Sequence, residues 1–199
     1  MSGSAYNTWD RDAAVERALN HADRGKSSSD GGLIWNFAFG SNVSAAKVRS
    51  RGMVPRQALR GRLPGWSLLF NHCGGFGNIE EVTKIQEERM DLSSLAPPAP
   101  TETHGMLLQL SRREFAELAR QEYAYDTVEV AVEVYGQDGS VVAQPRVQHA
   151  LAFKTSACAL ASPRTLPTAR YMRIIKEGAR DAGIDEQYCR WLEAIPVSR

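Results

Sequence analysis

Two short stretches of this sequence have residue types at spacings that could do chemistry. The first is Phe39-Gly40-Ser41-Asn42, lying between an alternating apolar run and the short helical pattern of residues 43–49. Gly40 permits backbone torsions closed to other residues, and Ser41 or Asn42 is a suitable cap for the helix that follows. Amides exposed at such a start would receive a carboxylate or a developing oxyanion. The same tetrapeptide also reads as an ordinary cap and turn. The second stretch is Glu122, in Arg120-Gln121-Glu122-Tyr123, where a helical pattern gives way to a strand pattern. Buried beside aromatics such as Tyr123 and Tyr125, its carboxyl would become a better proton carrier, as general acid/base work requires. Exposed, it is a solvated glutamate at a helix end.

Other combinations are weaker. Residues 71–78 (Asn-His-Cys-Gly-Gly-Phe-Gly-Asn) match neither a phosphate-binding loop nor a dinucleotide fingerprint. They serve either as backbone that approaches a ligand or as a tight hairpin connection. His72 and Cys73 are adjacent, so on a strand they point to opposite faces and are poorly placed to share a proton. The four histidines show no paired metal-ligand spacing, so no metal site is expected.

The elements that must position these residues follow from periodicity and punctuation. Residues 33–39 alternate large groups as a packed strand does, and residues 66–71, 78–84 and 104–110 are further strand candidates. Ser111-Arg112-Arg113-Glu114 is a capping box, predicting a helix from Ser111 with Phe115, Leu118 and Ala119 inward. Residues 127–135 alternate valines with glutamates, and Asp138-Gly139 should turn them into a hairpin. Pro167 opens a helix closed by Gly183, and Asp185 caps a second one carrying Tyr188, Trp191, Leu192 and Ile195. Strands followed by helices indicate an α+β fold.

Residues 1–32 read as a flexible N-terminal leader, in which residues 13–19 could form a short helix, and the folded domain is expected to span 33–199. The prolines of residues 95–103 suit a surface loop. Hydrophobic residues make up 43% and charged residues 24% of the 199, with 24 basic and 23 acidic side chains. That balance gives no footprint for nucleic acid or an anionic membrane. No apolar run is long enough to span a bilayer, residues 1–32 lack a secretory core, and three unpaired-looking cysteines suit a reducing compartment. A cytoplasmic location is expected.

Together these pieces resemble the γ-glutamylcyclotransferase-like superfamily, which includes the AIG2-like proteins. Residues 34–43 (IWNFAFGSNV) resemble its strand and tyrosine-glycine-serine-asparagine loop. Residues 105–122 resemble its strand, helix and catalytic-glutamate block, and residues 167–195 are similar to its C-terminal helices. The resemblance implies a compact mixed β-barrel core flanked by α-helices. It also implies cyclisation of the γ-glutamyl group of γ-glutamyl amino acids or peptides to 5-oxoproline, releasing an amine. On that carry-over Glu122 is the catalytic acid/base, and Phe39, Gly40, Ser41, Asn42 and Tyr125 bind substrate. Neither cofactor nor metal is implied. Phe39 stands where the family has tyrosine, Tyr123 stands where glycine commonly follows the glutamate, and Asn42 differs from the leucine of the glutathione-specific ChaC branch. The alternatives are a γ-glutamylamine, a biosynthetic γ-glutamyl intermediate, or a non-catalytic AIG2-like binding module. The partner expected is a small-molecule γ-glutamyl substrate, with no nucleic acid and no membrane; a homodimer is left open.

Overall fold

The computed structural model describes residues 9–24, 32–88, 97–136, 138–162 and 165–198. Most of the expected linker, residues 25–31, lies outside them, as do residues 95 and 96 at the start of the proline-rich loop.

Five strands close into a mixed barrel in the order β1-β5-β2-β6-β7. β1 (Leu33–Ala38) runs antiparallel to β5 (Glu102–Ser111), from Leu33 opposite Ser111 to Ala38 opposite Met106. β2 (Gln57–Pro64) lies along the other edge of β5 and touches β6 (Tyr125–Val134) at Gly61 and Arg62. β6 and β7 (Val147–Thr155) form the expected hairpin, although β7 starts further from Asp138-Gly139 than the turn signal implied. The barrel shuts where β1 meets β7 in parallel, at Asn36 opposite Leu151 and Phe37 opposite Ala152. β2 had no alternating signal, because it buries little beyond Gly61 and Leu63. Gly61 is required there: a Cβ would stand 2.6 Å from a Val132 methyl on β6.

A separate hairpin of β3 (Trp66–His72) and β4 (Phe76–Glu81) stands beside the barrel. Its turn carries Gly74 and Gly75 at positive φ, which resolves residues 71–78 as a tight connection. The strand expected over 78–84 stops at Glu81, where a short helix α3 (Val82–Glu87) begins. α2 (Ala45–Ser50) follows β1; α4 (Arg112–Gln121) starts from the predicted capping box at Ser111. α5 (Ala169–Asp181) and α6 (Glu186–Ala194) are capped by Thr168 and Asp185.

The two faces of the sheet feed two cores. One joins Phe37, Leu107 and Val132 to the hairpin and to Met172, Ile175 and Leu192 of the last helices. The other joins Ile34, Leu110 and Leu151 to Phe115 and Leu118 of α4.

Helix α1 (Arg11–Arg24) belongs to that second core, which corrects the reading of these residues as leader. Its buried positions are Ala14, Val15, Ala18 and Ala22, so its apolar stripe is made chiefly of alanines and its packing surface is shallow. Ion pairs from Arg17 to Asp126 and from Asp23 to Arg112 tie it to β6 and α4. Among the described residues no helix is long and apolar enough to cross a membrane.

Ala18 is 3% exposed, so Ala18→Asp buries an unpaired charge and should destabilise the protein by about 3 kcal/mol. Denaturant unfolding checks this: an unchanged midpoint would mean that α1 is not docked in solution.

Candidate active site

The first half of the site is built where β1 leaves the barrel. Gly40 precedes a 3₁₀ turn over Ser41–Val43, closed by the Val43 amide on the Gly40 carbonyl at 3.0 Å. Neither Ser41 nor Asn42 caps α2: Ser44 does, its hydroxyl accepting from the Lys47 amide at 3.3 Å. That correction matters, because it leaves the Asn42 side chain for the pocket. Gly40 is needed for space, since a Cβ there would come within 2.8 Å of the Tyr171 hydroxyl.

The second half is the end of α4. Glu122 is the residue after the last helical turn, its amide still reaching back to Leu118 and Ala119. Its side chain, 14% exposed, turns toward the loop. There Oε1 accepts from Asn42 Nδ2 at 3.0 Å and pairs with the Arg51 guanidinium at the end of α2. Ala124 then takes φ +55°, a left-handed conformation that costs a non-glycine residue about 1 kcal/mol. The amide and hydroxyl of Ser156 both donate to its carbonyl, at 3.0 and 2.8 Å, and so hold the chain reversal that aims Glu122. Tyr123 does not bury Glu122 as expected. It is 59% exposed, and its ring meets that of Trp9 edge-on at 5.1 Å between ring centres. A residue at the exposed reversal points outward, and the shielding comes from the loop and Arg51 instead.

A pocket lies between the two halves, its empty space about 370 Å³ with the open mouth included, lined among others by Phe39, Gly40, Ser41, Asn42, Glu122 and Tyr125. All six residues singled out in the sequence therefore face one cavity. Gly77, at the start of β4, also lines the cavity. Tyr125 donates to its carbonyl at 2.7 Å, and its amide donates to the Tyr171 hydroxyl at 3.0 Å. The Ser41 amide also lies on the Tyr171 oxygen, leaving the phenol's own hydrogen to donate. Burial pushes the Tyr171 phenol up to about 12, so it keeps that proton at neutral pH. Burial likewise raises the Tyr125 phenol above its ordinary value.

His72 is buried while Cys73 is exposed, so the two do point apart. The His72 ring stacks on Tyr125 at 4.2 Å and its Nδ1 meets Thr155 Oγ1 at 3.1 Å. Desolvation lowers its pKa, which keeps it neutral. Among the described residues no three His, Cys, Asp or Glu side chains are grouped as a metal site.

One atom stands out. Carboxylates only accept, so Asn42 must present its nitrogen to Glu122, and its Oδ1 is left buried with no partner. A free acceptor beside a carboxylate suits a ligand ammonium group. Asn36, Arg51, Gly77 and Tyr171 complete the site and were not singled out from sequence. Tyr171 showed only as one member of a helix stripe, and Arg51 looked like any surface arginine.

Comparison with known proteins agrees with this architecture. Residues 102–192 match the AIG2-like family. The γ-glutamyl cyclotransferase gliK of Aspergillus fumigatus is 25% identical over 181 residues, covering 83% of this chain and 63% of that protein. The γ-glutamyl cyclotransferase aclK of Aspergillus oryzae is 26% identical over 170 residues, covering 78% of this chain and 59% of that protein. The chain thus spans about three-fifths of the length of these curated relatives. A solved γ-glutamyl cyclotransferase structure superposes with a TM-score of 0.62 at 20% identity, over 83% of this chain and 89% of its own, which is a likeness of fold.

Two outcomes test the geometry. Gly40→Ala should destabilise by about 1–3 kcal/mol through the Tyr171 contact, and Tyr171→Phe by about 1 kcal/mol through its lost hydrogen bonds. The double variant should lose clearly less than the sum, because removing the hydroxyl makes room for the new methyl; additive losses would refute the contact. The depressed His72 pKa means the unfolded chain binds its proton first as pH falls. Its contribution is therefore complete above about pH 6.5 and is lost on acidification below that value. The slope of unfolding free energy against pH in that window should flatten in His72→Asn.

Proposed function

From the chain's place in the AIG2-like/γ-glutamylcyclotransferase superfamily, we propose that it is a γ-glutamylcyclotransferase acting on γ-glutamyl amino acids or peptides, with Glu122 as its acid/base. The observation that carries this reading is the unpartnered Asn42 Oδ1 beside the Glu122 carboxylate. A γ-glutamyl substrate brings an α-ammonium, and these two acceptors suit it.

The reaction is an intramolecular aminolysis. The α-ammonium, with a pKa near ~8, is largely protonated at neutral pH and must lose a proton to become a nucleophile. Glu122 Oε takes that proton. The freed amine attacks the γ-carbonyl carbon of the same glutamyl group and closes the five-membered ring. Negative charge develops on the carbonyl oxygen, where the Tyr171 hydroxyl and the amides of Gly40 and Asn42 are the available donors. The C–N bond to the leaving group then breaks, Glu122 returns its proton to the departing nitrogen, and that nitrogen also takes the second proton that the ring nitrogen sheds. The products are 5-oxoproline and the released amine as its ammonium, with no water consumed. Attacking and leaving groups belong to one molecule, so the site's work is to orient them and pass protons between their nitrogens.

Arg51 sets the resting state of this machinery. Its guanidinium holds the carboxylate in place, and Asn42 fixes the orientation of the same oxygen. Phe39, 7% exposed, supplies an apolar wall without the hydroxyl of a tyrosine.

Glu122→Gln keeps the shape and the Asn42 contact but cannot carry the proton, so 5-oxoproline release should fall by about 10²–10⁴-fold. The assay is product release from a panel of γ-glutamyl peptides; a variant within a few-fold of wild type would remove Glu122 from the chemistry.

A further inference from the structure

The pocket that faces Glu122 opens into a larger chamber, and the two share Ser41, Glu122, Tyr125 and Tyr171. The outer space measures about 1090 Å³ including its open mouth, against about 370 Å³ for the inner one. Resting on the cyclotransferase reading above, we infer that this outer chamber is the subsite for the leaving half of the substrate, and that it takes an amine bearing both a carboxylate and a large apolar body.

The placement follows from where the bond breaks. Glu122 lies at the junction of the two spaces, so a glutamyl group seated in the inner pocket leaves its amide substituent in the outer one. The chemistry follows from the lining. Among the described residues Lys47, Arg51 and Arg170 face the chamber, and its one carboxylate is Glu122. In a chain whose net charge is +1, that is a local concentration of positive charge and not a general background. Among the described residues neither Lys47 nor Arg170 has an acidic partner, and Arg51 has guanidinium N–H groups beyond the one that meets Glu122. An anion entering here meets cations able to receive it.

The rest of the lining mixes polar groups such as Gln121 and Thr168 with apolar surface, part of it exposed. Phe76, 45% exposed, stands at the hairpin end, Tyr123 is 59% exposed, and Ile174 of α5 is partly buried. Exposed aromatics grouped round a cavity mouth mark a surface that binding covers. A small or purely cationic leaving amine would satisfy neither part of this lining. A γ-glutamyl derivative of an aromatic or large aliphatic amino acid, or of a peptide beginning with one, satisfies both, whereas a γ-glutamylamine without an anion loses the charged half of the site.

A matched pair of ligands tests this without turnover. N-glutaryl-phenylalanine and N-glutaryl-phenethylamine differ only in the carboxylate, and neither can cyclise because the α-amine is absent. Calorimetric titration of the wild-type protein should give a Kd about tenfold or more lower for the phenylalanine compound. In Lys47→Met/Arg170→Met the ratio should shrink to within about threefold, with the phenethylamine affinity unchanged. Equal affinities in wild type, failure of both to bind, or a ratio untouched by the substitutions would each overturn the subsite. The reaction reading is scored separately by 5-oxoproline release from γ-glutamyl-phenylalanine. Discriminating binding without release would sink the chemistry and leave the subsite standing, and release without discrimination would do the reverse.

Discussion

The parallel seam between β1 and β7 is the contact on which the rest of the molecule depends. It holds two residue pairs in register, Asn36 with Leu151 and Phe37 with Ala152, as few as the β2–β6 seam and far fewer than the β1–β5 and β6–β7 seams. Asn36 is 1% exposed, and its side-chain amide donates to the Leu151 carbonyl at 2.9 Å. A buried amide without a partner costs about 1–3 kcal/mol, so this bond penalises any arrangement in which the two strands drift apart. Closing the barrel there sets where β1 ends, at Ala38, and the Gly40–Asn42 turn begins two residues later. The other strand of the seam reaches the site as well. Beyond its end, Ser156 secures the Ala124 reversal behind Glu122, and Thr155 meets His72 and the Asn78 side chain.

The outlying hairpin is fixed to this frame by direction as much as by apolar area. Asn78 Nδ2 donates to Asn71 and Glu80, its Oδ1 accepts from the Thr155 amide, and Glu80 pairs with Lys154 of β7. Apolar contacts such as Leu68 and Ile79 provide adhesion but tolerate sliding. Hydrogen bonds with defined partners tolerate little, and a buried network that is fully satisfied specifies one arrangement. The hairpin has to be specified, because Gly77 on β4 lines the cavity.

Elements with strong local signals were legible in the sequence. Alternation marked β1 and β6, and side-chain caps at Ser111 and Asp185 marked α4 and α6. β2 was not legible: Gly61 and the ion-paired Arg62, bridged to Glu102 and Glu133, replace the alternation a strand usually shows. A helix over residues 13–19 was legible within α1, but its docking was not, because alanines pack closely without leaving a conspicuous apolar stripe. In the site, Glu122 and the residue 39–42 turn could be named because their roles attach to short contiguous motifs. Arg51 and Tyr171 could not, because their positions depend on how α2 and α5 dock, a tertiary fact with no local signature.

The two sides of the inner cavity are unlike in one respect that reaches beyond affinity. On the Gly77 side, both backbone groups are already engaged by tyrosine hydroxyls. On the other side, Asn42 keeps an idle acceptor next to the Glu122 carboxylate. One wall therefore accepts from a polar ligand, while the other donates to it through the hydrogen that Tyr171 retains. With the apolar ring of Phe39 as a third and different contact, the two hands of a stereocentre placed within the cavity meet different surroundings.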